Sequence, residues 1–122
     1  MGHEFLAGET VLAFDLETTG ISTNNDRIVQ IALVGSDSSG EPVNYEHLIN
    51  PRRAIPSGAS GVHGIFDSDV KGLPDFSTYA DEIHEMVEDA VIVGHNVRKF
   101  DMPMLDNEFR RIGKLPPRPK AI

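Results

Sequence analysis

Two strand-like runs, Ile28–Val34 and Val43–Ile49, flank the turn cluster Asp37-Ser38-Ser39-Gly40. This pattern constrains the chain more than any other feature, because a linker of that length suits a β-hairpin. The first run is rich in β-branched residues. The second alternates and is stopped by Asn50-Pro51, since proline cannot donate to a ladder. Upstream, Val11-Leu12-Ala13-Phe14 ends in acid and then in Thr18-Thr19-Gly20, as a strand leaving into a loop. Three strands with short connections predict an antiparallel meander.

The character changes after Pro51. Pro56–Gly61 reads as a loop or short helix leading to Val62-His63-Gly64-Ile65. Pro74-Asp75 is a helix start, with Phe76, Tyr79, Ile83, Met86 and Val87 at helical spacing. Ala90–Val93 is a short buried strand. A last helix begins near Asp101-Met102-Pro103, carries the stripe Met104, Leu105, Phe109 and Ile112, and ends at Gly113. The order is β-β-β-α-β-α: an α/β fold with a mixed sheet, the meander being followed by a crossover helix and strand. Lys114–Ile122, with three prolines, is expected to form no element.

Composition bounds the function. At 122 residues, 39% hydrophobic and 25% charged, the chain is expected to form one domain over 1–122. No apolar run approaches the roughly 18–20 residues of a membrane span, so no membrane role is expected. The absence of cysteine removes disulfides, thiol nucleophiles and thiolate metal sites. Met1–Phe5 lacks the regions of a secretory signal, and Leu6 breaks the myristoylation pattern, so the chain reads as cytoplasmic. Eleven basic against nineteen acidic residues give a net charge of −8, the wrong sign for gripping a long duplex. Contact with nucleic acid must then be local, or metal ions must offset the acid.

Asp15 and Glu17 carry the first chemical signal. Residues i and i+2 of a strand share a face, so these carboxylates point together while Phe14 and Leu16 point away. A shared cation relieves their repulsion, and oxygen ligands without cysteine favour Mg²⁺ or Mn²⁺. The bland alternative is a solvated strand end. Asp101, at the mouth of the last helix, is either a helix N-cap, a third carboxylate returned beside the first strand, or both. Three converging carboxylates suit two metals about 3.5–4 Å apart, the arrangement used for phosphoryl displacement.

Phe14-Asp15-Leu16-Glu17-Thr18-Thr19-Gly20 resembles the first motif of the DEDD family of 3′→5′ exonucleases, which includes the proofreading subunit of bacterial DNA polymerase III. Val93-Gly94-His95-Asn96-Val97-Arg98-Lys99-Phe100-Asp101 is similar to its second motif, with Met104-Leu105 following. Ile55-Pro56 and Val62-His63-Gly64-Ile65 resemble the segment between them. The likeness runs from about Val11 to Pro117 and implies a ribonuclease-H-like fold. It also implies that Asp15, Glu17 and Asp101 are catalytic metal ligands for Mg²⁺ or Mn²⁺, two ions in a complete site. Thr18, Thr19 and Gly20 would lie against the terminal nucleotide. His63 would line the same pocket or pack in a loop, and Asn96 and Phe100 would shape its floor, unless Asn96 merely fastens a turn.

The chain departs from the family beyond Asp101. The family's third motif supplies a fourth aspartate and, in its commonest branch, a histidine base. Here no histidine follows His95, and Asp106, read as a solvated charge, is the only later aspartate. The domain is thus expected to be incomplete, with the C-terminal strand and helices missing. The resemblance implies two-metal hydrolysis of phosphodiesters at single-stranded DNA or RNA 3′ ends, impaired in this chain, with a DNA polymerase subunit as a further partner. A non-catalytic nucleotide- or polymerase-binding module is the alternative. A missing next strand would leave Ala90–Val93 as a bare edge, and would uncover a sheet face lined by Val91, Val93 and the first strand's apolar side. Self-association across that edge is therefore expected.

Overall fold

The structure, a computed structural model, describes residues 8–122; the stretch read above for targeting signals lies outside the described residues. Four strands form one mixed sheet in the order β3-β2-β1-β4. β1 (Val11–Thr18), β2 (Ile28–Ser36) and β3 (Pro42–Leu48) make the antiparallel meander. The Asp37 carboxylate closes the hairpin turn by accepting from the Ser39 and Glu41 N–H groups. β4 (Val91–Val93) returns parallel to β1, pairing Val11–Ala13 with Val91–Val93.

Between β3 and β4 lie three helices, α1 (Ser57–His63), α2 (Asp67–Val70) and α3 (Phe76–Val87). The sequence reading left the first open and did not foresee the second. Asp75 caps α3 by accepting from Ser77 N–H at 3.1 Å. The buried residues Phe76, Ala80, Ile83 and Val87 of α3 keep helical spacing and pack on Leu12, Phe14, Leu16, Ile31 and Leu33. α4 (Met102–Arg111) packs beside α3, joined by an edge-to-face contact of Phe76 and Phe109 at 5.0 Å. A second, smaller core of Val29, Ile55, Ile65 and Val70 seats α1 and α2.

Three expectations are corrected. The first strand's apolar side is not uncovered: Leu12, Phe14 and Leu16 are buried under α3 and α4. What stays open is the opposite face, where Val34 and Val93 flank Ala13. Nor is the β4 edge bare. Lys120 N–H donates to Ala90 O at 2.7 Å and Ile92 N–H to Ala121 O at 2.9 Å, making a parallel bridge between Val91 and Ala121. Asp89 N–H donates to Arg118 O, and Lys120 pairs with Glu9. The prolines keep the tail extended enough to lie along the strand, and self-association across a free edge loses its basis. Asp106, finally, is no solvated charge: its Oδ1 is buried without a partner among the described residues, and burial raises its pKa. Among the described residues no helix is long and apolar enough to cross a membrane.

Candidate active site

The site is built on the alternation of β1. Leu12, Phe14 and Leu16 are buried, while Asp15 is exposed and Glu17 half-buried on the other face. The register against β2 shifts between Glu17 and Thr18, which pair with Gln30 and Ile28 respectively. This bulge lets consecutive Ile28 and Val29 both be buried, one in each core, and breaks the ladder beside Glu17. On the other side of β1, Gly94 follows β4 closely. A Cβ there would lie 2.7 Å from Phe14 O, so only glycine lets the chain leave β4 past the carbonyl adjoining Asp15.

Asp101 arrives by a route that periodicity did not show. Val97–Asp101 is a five-residue π-helix, opened by Asn96 in the left-handed region at φ 55°. Met102 N–H bonds back to Val97 O, five residues earlier, and the segment runs straight into α4. Asp101 therefore has helical backbone angles and caps nothing with its side chain; of its two candidate roles, the N-cap is the one the structure withholds. It is only 5% exposed. Burial pushes its pKa up to about 7, and the negative charges of Asp15 and Glu17 add to the shift.

Among the described residues none of these three carboxylates has a hydrogen bond or ion pair, and no three acidic, histidine or cysteine side chains lie close enough together to hold a metal ion as they stand. Unpaired acids that feel one another, one of them buried, make an oxygen-only donor set, which fits a hard divalent ion such as Mg²⁺ or Mn²⁺. The same cluster does not suit zinc, which favours nitrogen and sulfur.

Beside Glu17 lies a cavity of about 160 Å³ lined by Leu16, Glu17, Thr18, Gly20, Ile21, Ala59, Val62, His63 and Phe100. The site residues read from the sequence as substrate contacts mostly meet here. His63 bridges α1 and β1: its Nδ1 accepts from Ile65 N–H at 3.1 Å, which leaves the proton on Nε2 to donate to Thr18 O at 3.0 Å. Thr18 Oγ1 donates to Gly20 O at 2.6 Å. Thr19 is turned inward, donating to Asp26 Oδ1 at 2.8 Å and accepting from Arg27 N–H at 3.0 Å, so its hydroxyl fastens the loop. Gly20 is required by that fastening, since a Cβ would lie 2.5 Å from Asp26 Oδ2. Ile21 and Val62, 90% and 85% exposed, give the cavity an apolar mouth. Asn96 stands apart from this cavity, with Nδ2 3.2 Å from His95 Nε2, and lines a different one of about 270 Å³ with Gly94 and Lys99.

Sequence reasoning missed Glu108 and Arg27. Glu108, 1% exposed, accepts from Arg27 Nε at 3.0 and 3.1 Å and from Ile28 N–H at 2.9 Å, with Arg27 Nη2 at 2.8 Å. The pair ties α4 to the end of the loop that bears Thr18–Ile21. A signal was present: Glu108 lies four residues after Met104 and just before Phe109, on the apolar stripe where a charge needs a partner.

A mixed sheet ordered β3-β2-β1-β4, with carboxylates on an interior strand and a helix returning a third beside them, defines a ribonuclease-H-like domain. The structure is similar to exonuclease I, with a TM-score of 0.76 and 26% identity over 88% of this chain and 25% of that one. It is likewise similar to E. coli exonuclease I in complex with a 5cy-dA13 oligonucleotide, with a TM-score of 0.72 over 84% of this chain and 24% of that one. The RNase T exonuclease family matches residues 12–122, and the chain belongs to this family, the DEDD 3′→5′ exonucleases. It is 39% identical over 110 residues to the DNA polymerase III subunit epsilon-like protein of Rhodobacter capsulatus, covering 86% of this chain and 15% of that protein. It is 33% identical over 120 residues to the DNA polymerase III subunit epsilon of Treponema pallidum, covering 98% of this chain and 54% of that protein. The chain thus spans about half or less of the length of these relatives.

Proposed function

We propose that the chain is part of a metal-dependent 3′→5′ exonuclease domain that hydrolyses phosphodiesters at the 3′ ends of single-stranded DNA or RNA. One observation carries the reading. Asp15, Glu17 and Asp101 are unpaired carboxylates close enough to raise the pKa of Asp101, and Glu17 also lines a cavity of about 160 Å³ with an apolar mouth. Asp15, Glu17 and Asp101 would hold the ions. Bound there, divalent ions supply charge that offsets the scissile phosphate and lower the pKa of an attacking water. Ile21, Val62 and Phe100 offer apolar surface to the terminal nucleoside, where base stacking contributes roughly 1–3 kcal/mol. His63 holds α1 against the end of β1, and so keeps that cavity beside Glu17. The similarity to polymerase III subunits makes a polymerase a candidate partner.

A second reading is a nucleotide- or polymerase-binding module without catalysis; within these 122 residues no histidine follows His95, and Asp106 lines a separate cavity with Arg110 and Lys114. We therefore expect weak Mn²⁺ binding and little nuclease turnover from these 122 residues. General-base catalysis alone is typically worth about 10²–10⁴-fold. Calorimetric titration of Mn²⁺ into this chain and its Asp15→Asn variant tests the site, and equal binding by both removes Asp15 from it. A chain extended through a downstream histidine and aspartate should cleave single-stranded oligonucleotides and lose that activity with Asp15→Asn. Full turnover by the 122 residues alone would show that the base lies elsewhere.

A further inference from the structure

A protein of net charge −8 that takes a polyanion must meet it with cations that its own acids do not already occupy. Most of its basic side chains are engaged: Arg27 with Glu108, Arg52 with Asp75, Arg53 with Asp26, Lys114 with Asp81. Arg98 donates to Ile122 O at 3.1 Å. Lys71, Lys99 and Arg118 make no side-chain hydrogen bond or ion pair among the described residues. Of these, Lys99 shares an element with a site carboxylate. The π-helix carries one more residue per turn than an α-helix there, and its three last positions diverge. Phe100 lines the cavity beside Glu17 and His63, Lys99 is exposed and lines the cavity beside Gly94 and Asn96, and Asp101 is buried.

We propose that Lys99 is a substrate-positioning cation. It pairs with a backbone phosphate of the nucleic-acid strand, on the 5′ side of the nucleotide held in the Glu17–His63 cavity. The inference rests on the nuclease reading and deepens it, by giving the strand a direction of exit past the π-helix toward Gly94.

The test measures binding of a 5′-labelled oligo-dT and of dTMP with Ca²⁺ in place of Mg²⁺, for wild type, Lys99→Gln and Lys99→Arg. Lys99→Gln should bind dTMP as wild type does but the oligonucleotide about threefold more weakly at low salt, with a salt slope shallower by about 0.7, the value of one single-strand phosphate contact. Lys99→Arg should restore the slope. An unchanged slope in Lys99→Gln overturns the assignment while leaving the nuclease reading intact, and so does an equal loss of dTMP binding, which would place Lys99 at the terminal nucleotide. If wild type binds neither probe, the nuclease reading fails and this inference with it.

Discussion

Two buried carboxylates seven residues apart on one continuous helical segment meet opposite fates. Glu108 is held by a two-pronged Arg27 contact, a backbone N–H and Arg111 at 3.6 Å. Asp101 has no partner among the described residues and faces two further acids. A buried charge costs several kcal/mol unless it is paired. The chain meets that cost at Glu108, where the carboxylate serves the fold. It leaves the cost standing at Asp101, where an added cation would remove it. The contrast separates the structural acid from the one proposed as a metal ligand better than burial does, since both are almost fully buried.

The largest effect should come from breaking the satisfied pair. Glu108→Ala strands Arg27, itself only 22% exposed, and frees the Ile28 N–H, for a loss of about 3–5 kcal/mol in urea unfolding. Because Arg27 N–H and O also close the loop onto Thr19, the variant should disturb the Thr18–Ile21 cavity as well. A loss below about 1 kcal/mol, the range of an exposed pair, would show that the ion pair is not a structural tie.

Asp101→Asn should act in the other direction. Folded, Asp101 keeps its proton up to about pH 7; unfolded, it releases it near 3.8. The folded state thus binds the extra proton between these values, and stability falls as pH rises from about 4 to about 7, with the cost fully present above. Removing the charge should then raise stability at pH 8 by about 2 kcal/mol, half of what the shift implies at about 1.4 kcal/mol per unit, because exposed Asp15 is screened by solvent. The gain should vanish by pH 4, while Mn²⁺ binding is lost at pH 8. A pH-independent gain would mean that side-chain shape, not charge, is responsible.

The frame of this contrast was legible in the sequence for a physical reason. Strand alternation fixes which side chains share a face, so Asp15 and Glu17 could be set together, and Leu12, Phe14 and Leu16 opposite them, from spacing alone. The stripe of α3 and the cap at Asp75 follow equally local rules. The π-helix was not legible, because Val97–Asp101 differs from an α-turn by one hydrogen bond that no residue type dictates. The pairing of Arg27 with Glu108 joins positions far apart in the chain, and composition records only that both charges exist. The tail's return to β4 was missed because prolines were read as an absence of structure, when an extended chain is what an edge accepts.

The smallest expected effect belongs to a third carboxylate on the same helix. Asp106 has one buried, unpartnered oxygen, and, as at Asp101, burial raises its pKa, though Arg110 works against the shift. It differs in its surroundings: Asp106 lines a cavity with His84, Glu88, Arg110 and Lys114, where basic groups are at hand, and neither Asp15 nor Glu17 contributes to its shift. If lacking a partner were enough to mark a functional acid, Asp106 and Asp101 would behave alike. They should not. Asp106→Asn should stabilise the chain by less than about 1 kcal/mol at pH 8, the net worth of relieving a partly hydrated group, and should leave Mn²⁺ affinity as in wild type. Loss of Mn²⁺ binding in this variant would make Asp106 a fourth ligand, and the division between the two cavities would fall with it.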